Sequence, residues 1–143
     1  VPAVDLDTGL DFARQHSRGV LATVKRDGRP QLSNVVYAVG DDGMVRVSVT
    51  DDRAKTANLR RDPRASLHVS AEDFWSYVVL EGTADLSPVT TEPGDATGAE
   101  LASLYRAVQG EHPDWDEYFA AMVDQRRLVV RLRPERAYGM VRG

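Results

Sequence analysis

The chain holds 143 residues, 42% hydrophobic and 28% charged, the balance of one folded domain with its own core and not that of a disordered segment. A net charge of −4 argues against a nucleic-acid or anionic-membrane binder, and no apolar run approaches the roughly 20 residues of a spanning helix. With no cysteine, disulfides, thiolate nucleophiles, iron–sulfur clusters and Cys-ligated zinc are out, and a reducing, cytoplasmic setting is expected. The first residues carry no signal-peptide pattern, and an initiator Met is expected to have been trimmed ahead of Val1.

In chain order, Leu6, Leu10 and Ala13 recur at helical spacing, so residues 5–16 read as a short helix with Asp5 or Asp7 as cap. Residues 20–24 are β-rich, and Asp27-Gly28 signals a hairpin into a return strand over 31–39. Gly40 to Gly43 makes a second turn, into a strand over 44–49. Residues 50–61 turn helical and stop at Asp62-Pro63. Strands follow over 64–70 and 75–86, then a Pro/Gly/Thr loop over 88–98. Leu101, Leu104, Tyr105 and Val108 predict one helix, and Trp115, Tyr118, Phe119 and Met122 a second, with His112-Pro113-Asp114 between them. Short strands at 128–130 and 137–141, divided by Pro134, end the chain. Six or seven mostly antiparallel strands with peripheral helices predict an α+β, mainly β barrel in a single domain over 1–143, not a doubly wound sheet.

Several chemistries have no footing. The three histidines lie far apart, and there is no nucleophile elbow, P-loop or dinucleotide fingerprint. The positive signal is residues 53–64, with five of the chain's basic residues in twelve positions. Arg53, Lys55 and Thr56 fall in the first turn of the predicted helix, where unpaired N–H groups favour an anion and extra cations oppose the macrodipole. The segment is either a solvated basic face or a grip on a bound anion. Along the return strand, Gln31, Ser33, Val35 and Tyr37 share a face that either meets solvent or holds a flat heteroaromatic ring. Trp75 and Tyr77 share another, as core or as the lining of a ring slot. The stripe Trp115, Tyr118, Met122 reads as core or dimer interface first and as a cofactor wall second. His112 reads as a loop residue, exposed or functional.

Gly19-Val20-Leu21-Ala22-Thr23, Asp27 to Val35, Arg53-Ala54-Lys55-Thr56 with Asn58 to Ser66, Trp75-Ser76-Tyr77, Glu81 to Ala84, Leu104-Tyr105-Arg106, Gly110-Glu111-His112 and Asp114-Trp115 occur in that order. Together they resemble the actinobacterial flavin/deazaflavin oxidoreductases of the pyridoxamine 5′-phosphate oxidase-like split β-barrel superfamily, most closely the small enzymes that use coenzyme F420. The Arg-Ala-Lys-Thr-x-Asn-Leu block is the most specific part. The resemblance implies a split β-barrel homodimer with cofactor sites at the interface. It implies that Arg53 and Lys55 grip the cofactor phosphate, with Ala54 and Thr56 adding backbone and hydroxyl contacts. Gln31, Ser33, Asn34, Ser48 and Val49 are implied near the ring, and Trp75, Tyr77 or His112 from across the interface. Arg60, Arg61 or Arg64 would meet the polyglutamate tail of F420. No catalytic residue and no metal ligand is assigned. The implied activity is hydride transfer from reduced F420 to an electron-poor small-molecule acceptor; an FMN-dependent enzyme of the same fold and a non-catalytic F420 carrier are the alternatives. The C-terminus lacks the Trp that accompanies pyridoxal-phosphate chemistry in the true oxidases.

Overall fold

Asp27-Gly28 and Asp42-Gly43 do what their composition predicts: both glycines take positive φ, +88° and +80°, and fold the chain back on itself. The first turn joins β2 (Arg18–Val24) to β3 (Pro30–Val39), and the second joins β3 to β4 (Val45–Thr50). The computed structural model describes residues 2–141. Within them lie also β1 (Ala3–Val4), α1 (Leu6–Arg14), α2 (Ala54–Arg61), β5 (Arg64–Ser70), β6 (Tyr77–Leu86), α3 (Ala96–Gln109), α4 (Trp115–Asp124) and β7 (Arg127–Met140).

The strands run in the order β1-β7-β4-β3-β2-β5-β6, and β6 returns to pair with β7. Every ladder is antiparallel. Six strands therefore close a barrel with no free edge at the seam. β7 does the closing. Its first half pairs with β4 through Val45↔Leu132 to Thr50↔Arg127, its length pairs with β6, and β1 takes its remaining edge at Tyr138 and Ala137. The split barrel implied by the sequence is thus the fold.

Three boundaries differ from the sequence reading. Pro134 does not divide β7, because it sits where the β6–β7 register slips: Glu81 faces Arg136 while Gly82 faces Pro134, so Glu135 is the extra residue of a bulge. A bulge is where a strand tolerates a residue without an N–H. Trp75 is not in a strand. The Asp73 carboxylate accepts from the amides of Trp75 and Ser76 at 3.0 and 3.2 Å, and Phe74 takes φ 71°, so 71–76 is a tight loop and β6 begins at Tyr77. α3 begins five residues before the first apolar repeat, because Asp95 caps it by accepting from Gly98 N at 2.8 Å.

Alternate residues fill the barrel: Leu21, Val35, Tyr37, Val45, Val47, Val49, Leu67, Val69, Leu80, Leu128, Val130 and Leu132 are all buried. α1 plugs one end with Leu10, Phe12 and Ala13. Tyr37 belongs to this core. Its hydroxyl donates to Ala13 O at 2.7 Å, which satisfies the one polar atom it carries inside. Burial pushes its phenol well above the ordinary tyrosine range.

α3 and α4 pack as a pair outside the barrel. Leu101, Ala102 and Tyr118 meet the outward side chain of Val129. Glu100 ties the pair down: its carboxylate takes Arg131 at 2.6 and 2.9 Å and Arg46 at 3.0 Å. Arg131, then Arg46, hold the Glu100 carboxyl below its usual range. A folded-state pKa below the unfolded one gives stability that is present above the unfolded value and lost as pH falls through the folded one. Glu100→Gln is therefore expected to cost about 1–2 kcal/mol at neutral pH, and no more than a few tenths in acid below the wild-type carboxyl's folded pKa. Urea unfolding of both proteins across that pH range measures it.

Candidate functional site

The basic segment separates once its partners are drawn. Arg60 donates to Asp51 at 2.6 Å, Arg61 to the carbonyl of Val24 and to Asn58 Oδ1, and Arg64 to Asp62 at 2.7 Å. Arg53 and Lys55 have no such partner, and among the described residues neither forms an ion pair. Arg53 stands at the N-cap of α2, and no side chain caps that end of the helix.

A third cation joins them from β7. Thr50 pairs with Arg127 in the β4–β7 ladder, and Asp51 accepts from Arg126 at 3.0 Å, so the turn before α2 is fastened to the turn before β7. This brings Arg127 beside Lys55. Arg127 donates to Ser48 Oγ at 3.3 Å and to Gln125 Oε1 at 2.9 Å, neither of them a carboxylate. Burial pushes the Lys55 ammonium pKa down, and Arg53 and Arg127 push it the same way. Cations grouped in this way, none of them in an ion pair among the described residues, suit an anion.

Lys55 and Arg127 open onto a cavity of about 510 Å³ between the outer face of β3–β4 and the α3–α4 pair. Asn34, Val36 and Ser48 line the barrel side. Leu101, Leu104, Tyr105, Val108, Tyr118 and Met122 line the helical side, with His112. One cationic end and largely apolar walls, with the exposed Gln109 and Glu117 among their residues, suit a flat ring bearing an anionic group. A second groove of about 640 Å³ lies on the other side of α2, lined by Lys25, Arg26, Gln31, Ala54, Ala57, Asn58, Arg60 and Arg61.

The residues singled out from sequence thus divide. Asn34, Ser48, Lys55 and His112 meet in the cavity. Gln31, Ala54, Arg60 and Arg61 line the groove across α2. On the strand face of Gln31, Ser33, Val35 and Tyr37, Val35 and Tyr37 are core, while half-buried Gln31, at the groove, accepts from Thr23 Oγ1 at 2.9 Å and donates to half-buried Ser33 Oγ at 2.8 Å. Val49 is likewise buried inside the barrel. Thr56 is fully buried, and its hydroxyl donates to Thr50 O at 2.8 Å, so it is a fastening of the turn and not a free donor. Tyr77 stacks on His68 at 5.5 Å, and Trp75 projects from its loop. Arg127 escaped the sequence reading because only the ladder, 72 residues away from Lys55 along the chain, makes them neighbours. Tyr118 and Met122 serve as both core and cavity wall.

Residues 7–141 match the family described as pyridoxamine 5′-phosphate oxidase. Among solved structures, a conserved hypothetical protein of Mycobacterium tuberculosis is similar at 29% identity and a TM-score of 0.73, covering 96% of this chain and 85% of that one. A structure described as an F420 reductase is similar at 25% identity and a TM-score of 0.68, covering 90% and 94%. A heme binding protein from Mycobacterium smegmatis matches at 25% identity and a TM-score of 0.67, over 98% of this chain and 55% of that one.

Proposed function

Because the chain belongs to the pyridoxamine 5′-phosphate oxidase family, we propose that it is an F420-dependent oxidoreductase: it binds coenzyme F420 in this cavity and directs a hydride from the reduced form to an electron-poor small molecule. The observation that carries the reading is the pair Lys55 and Arg127, partly buried at a cavity of about 510 Å³ and, among the described residues, in no ion pair; the Glu117 that also lines the cavity is exposed to solvent. A phosphate answers both cations with charge-assisted hydrogen bonds. Likeness to an F420 reductase supports the deazaflavin among phosphorylated rings. F420, when bound, supplies the hydride; the protein supplies position and dryness.

Each wall has its task. Lys55 and Arg127 hold the phosphate, and Arg53 adds its charge from the helix cap. Asn34 and Ser48 reach the ring from the barrel side. Leu101, Leu104 and Met122 keep water from it. Leu32, Val36 and Trp75 stand 63%, 49% and 63% exposed, and we read them as covered in a homodimer that completes the site. The proposed setting is the cytoplasm; among the described residues no helix is long and apolar enough to cross a membrane. FMN carries the same phosphate and is the alternative. Fluorescence titration with each cofactor separates them: tighter binding of F420 supports the proposal, tighter FMN binding or a yellow purified protein replaces F420 with FMN, and binding of neither defeats both. Tight F420 binding without oxidation by any acceptor in a broad panel would leave a carrier.

The depressed Lys55 pKa sets a pH dependence. A bound phosphate favours the charged ammonium, so binding takes up a proton once pH exceeds the free-state pKa. Affinity is expected to be full below that value and to fall as pH rises through it, earlier than for an ordinary lysine. Lys55→Arg should flatten the fall in affinity that follows the Lys55 titration.

A further inference from the structure

The helical wall of the cavity carries one polar atom whose direction is fixed. His112 sits among three rings, with centroids 5.2 Å from Tyr105, 5.6 Å from Trp115 and 5.4 Å from Tyr118. Its Nδ1 accepts from the backbone N–H of Asp114 at 2.9 Å. An accepting nitrogen carries no hydrogen, so the proton of the neutral ring is on Nε2. The neighbouring polar atoms are spent or ambivalent. Tyr118 gives its hydroxyl to Leu101 O at 2.9 Å, and Trp115 gives its indole N–H to Glu111 at 3.2 Å. The Tyr105 hydroxyl rotates and can donate or accept. Gln109 and Glu117 line the cavity but are exposed to solvent.

We infer that His112 is the orienting residue of the cavity, donating from Nε2 to a carbonyl oxygen of the ring ligand. The aromatic enclosure holds the imidazole plane, and the Asp114 amide holds the tautomer. Only a ligand edge that accepts then fits, a carbonyl oxygen or a bare ring nitrogen beside it. A ligand turned so that a ring N–H met His112 would leave two donors face to face, a cost that selects one orientation of the ring. The inference rests on the ring-binding reading above.

Two readouts test it. Long-range ¹H–¹⁵N NMR of ¹⁵N-histidine-labelled protein, assigned with a His112→Gln variant, reads the tautomer directly. The expected result is a protonated Nε2 and a bare Nδ1, with the Nε2 signal shifting when F420 or FMN is added. Titrations then compare two variants. His112→Phe keeps a ring in the aromatic cluster and removes the donor; His112→Gln keeps a donor and removes the ring. Binding is expected to weaken about tenfold in His112→Phe and to stay within about threefold of wild type in His112→Gln, one neutral hydrogen bond being worth roughly that factor. A proton on Nδ1, or wild-type affinity in His112→Phe, would overturn the role of His112 while leaving the ring site intact. Wild-type protein that binds neither F420 nor FMN would defeat the functional reading, and this role with it.

Discussion

Replacing Lys55 and Arg127 together by alanine is expected to weaken F420 binding by about 2–4 kcal/mol, or roughly 30- to 1,000-fold, as befits two charge-assisted hydrogen bonds lost from a partly buried site. The effect is large because, apart from Arg53 at the helix cap, the arginines of the segment are tied to other partners. Arg60, Arg61 and Arg64 are held by Asp51, by the Val24 carbonyl with Asn58, and by Asp62. Arg60→Ala is therefore expected to change affinity by less than about threefold, since it removes a solvent-screened charge and not a contact. Fluorescence titration of the three proteins decides between them. Equal losses in Arg60→Ala and the double variant would mean that binding follows the net charge of the segment and not the two cations at the cavity. The double variant should also fold normally, because relieving cationic repulsion around Lys55 removes an unfavourable term.

The largest effect on stability is expected at Gly82. A Cβ there would lie 1.9 Å from the carbonyl oxygen of Arg133 and 2.8 Å from its carbon, both backbone atoms of the facing strand. A side chain can rotate away from such a clash, whereas a paired strand cannot. Gly82→Ala must therefore part β6 from β7 at the bulge, where the barrel closes, and should cost about 3–5 kcal/mol. Gly94→Ala is the comparison. Its φ is +79° but nothing lies within 4 Å of the added carbon, so only the backbone preference is lost, about 1 kcal/mol. Urea denaturation of both variants measures the difference. Similar midpoints would mean that the seam yields without strain.

The two tight turns, the helical spacings and the alternation of the strands were legible because each depends on residues close in sequence. Asp27-Gly28 needs no distant partner to turn the chain. Ladder closure was not legible in the same way. Pro134 looks like a strand breaker until Gly82 is placed opposite it, and the two lie on strands joined through both outer helices. The basic segment shows the same limit at the site. Its composition left it either a solvated basic face or an anion grip, and its helical start placed Lys55 in the first turn, with Arg53 one step ahead at the N-cap. The internal pairing of Arg60, Arg61 and Arg64 emerges only when Asp51, Val24 and Asp62 are in position. On β3, alternation separated two faces but could not say which was inside. Gln31 and Ser33 looked like the polar face, yet Val35 and Tyr37 beside them carry the core. The outward face is the one with Leu32, Asn34 and Val36. Apolar residues on an outward face signal a surface that something else covers.

Basic residues stand on both sides of α2, and the side that receives the phosphate decides where the ring lies. A crystal structure of the protein with F420 bound tests this most directly. The predicted result is a phosphate within hydrogen-bond reach of Lys55 and Arg127, with the ring between β3–β4 and the α3–α4 pair. A phosphate seated instead against Lys25, Arg26 and Arg61 in the groove across α2 would contradict it.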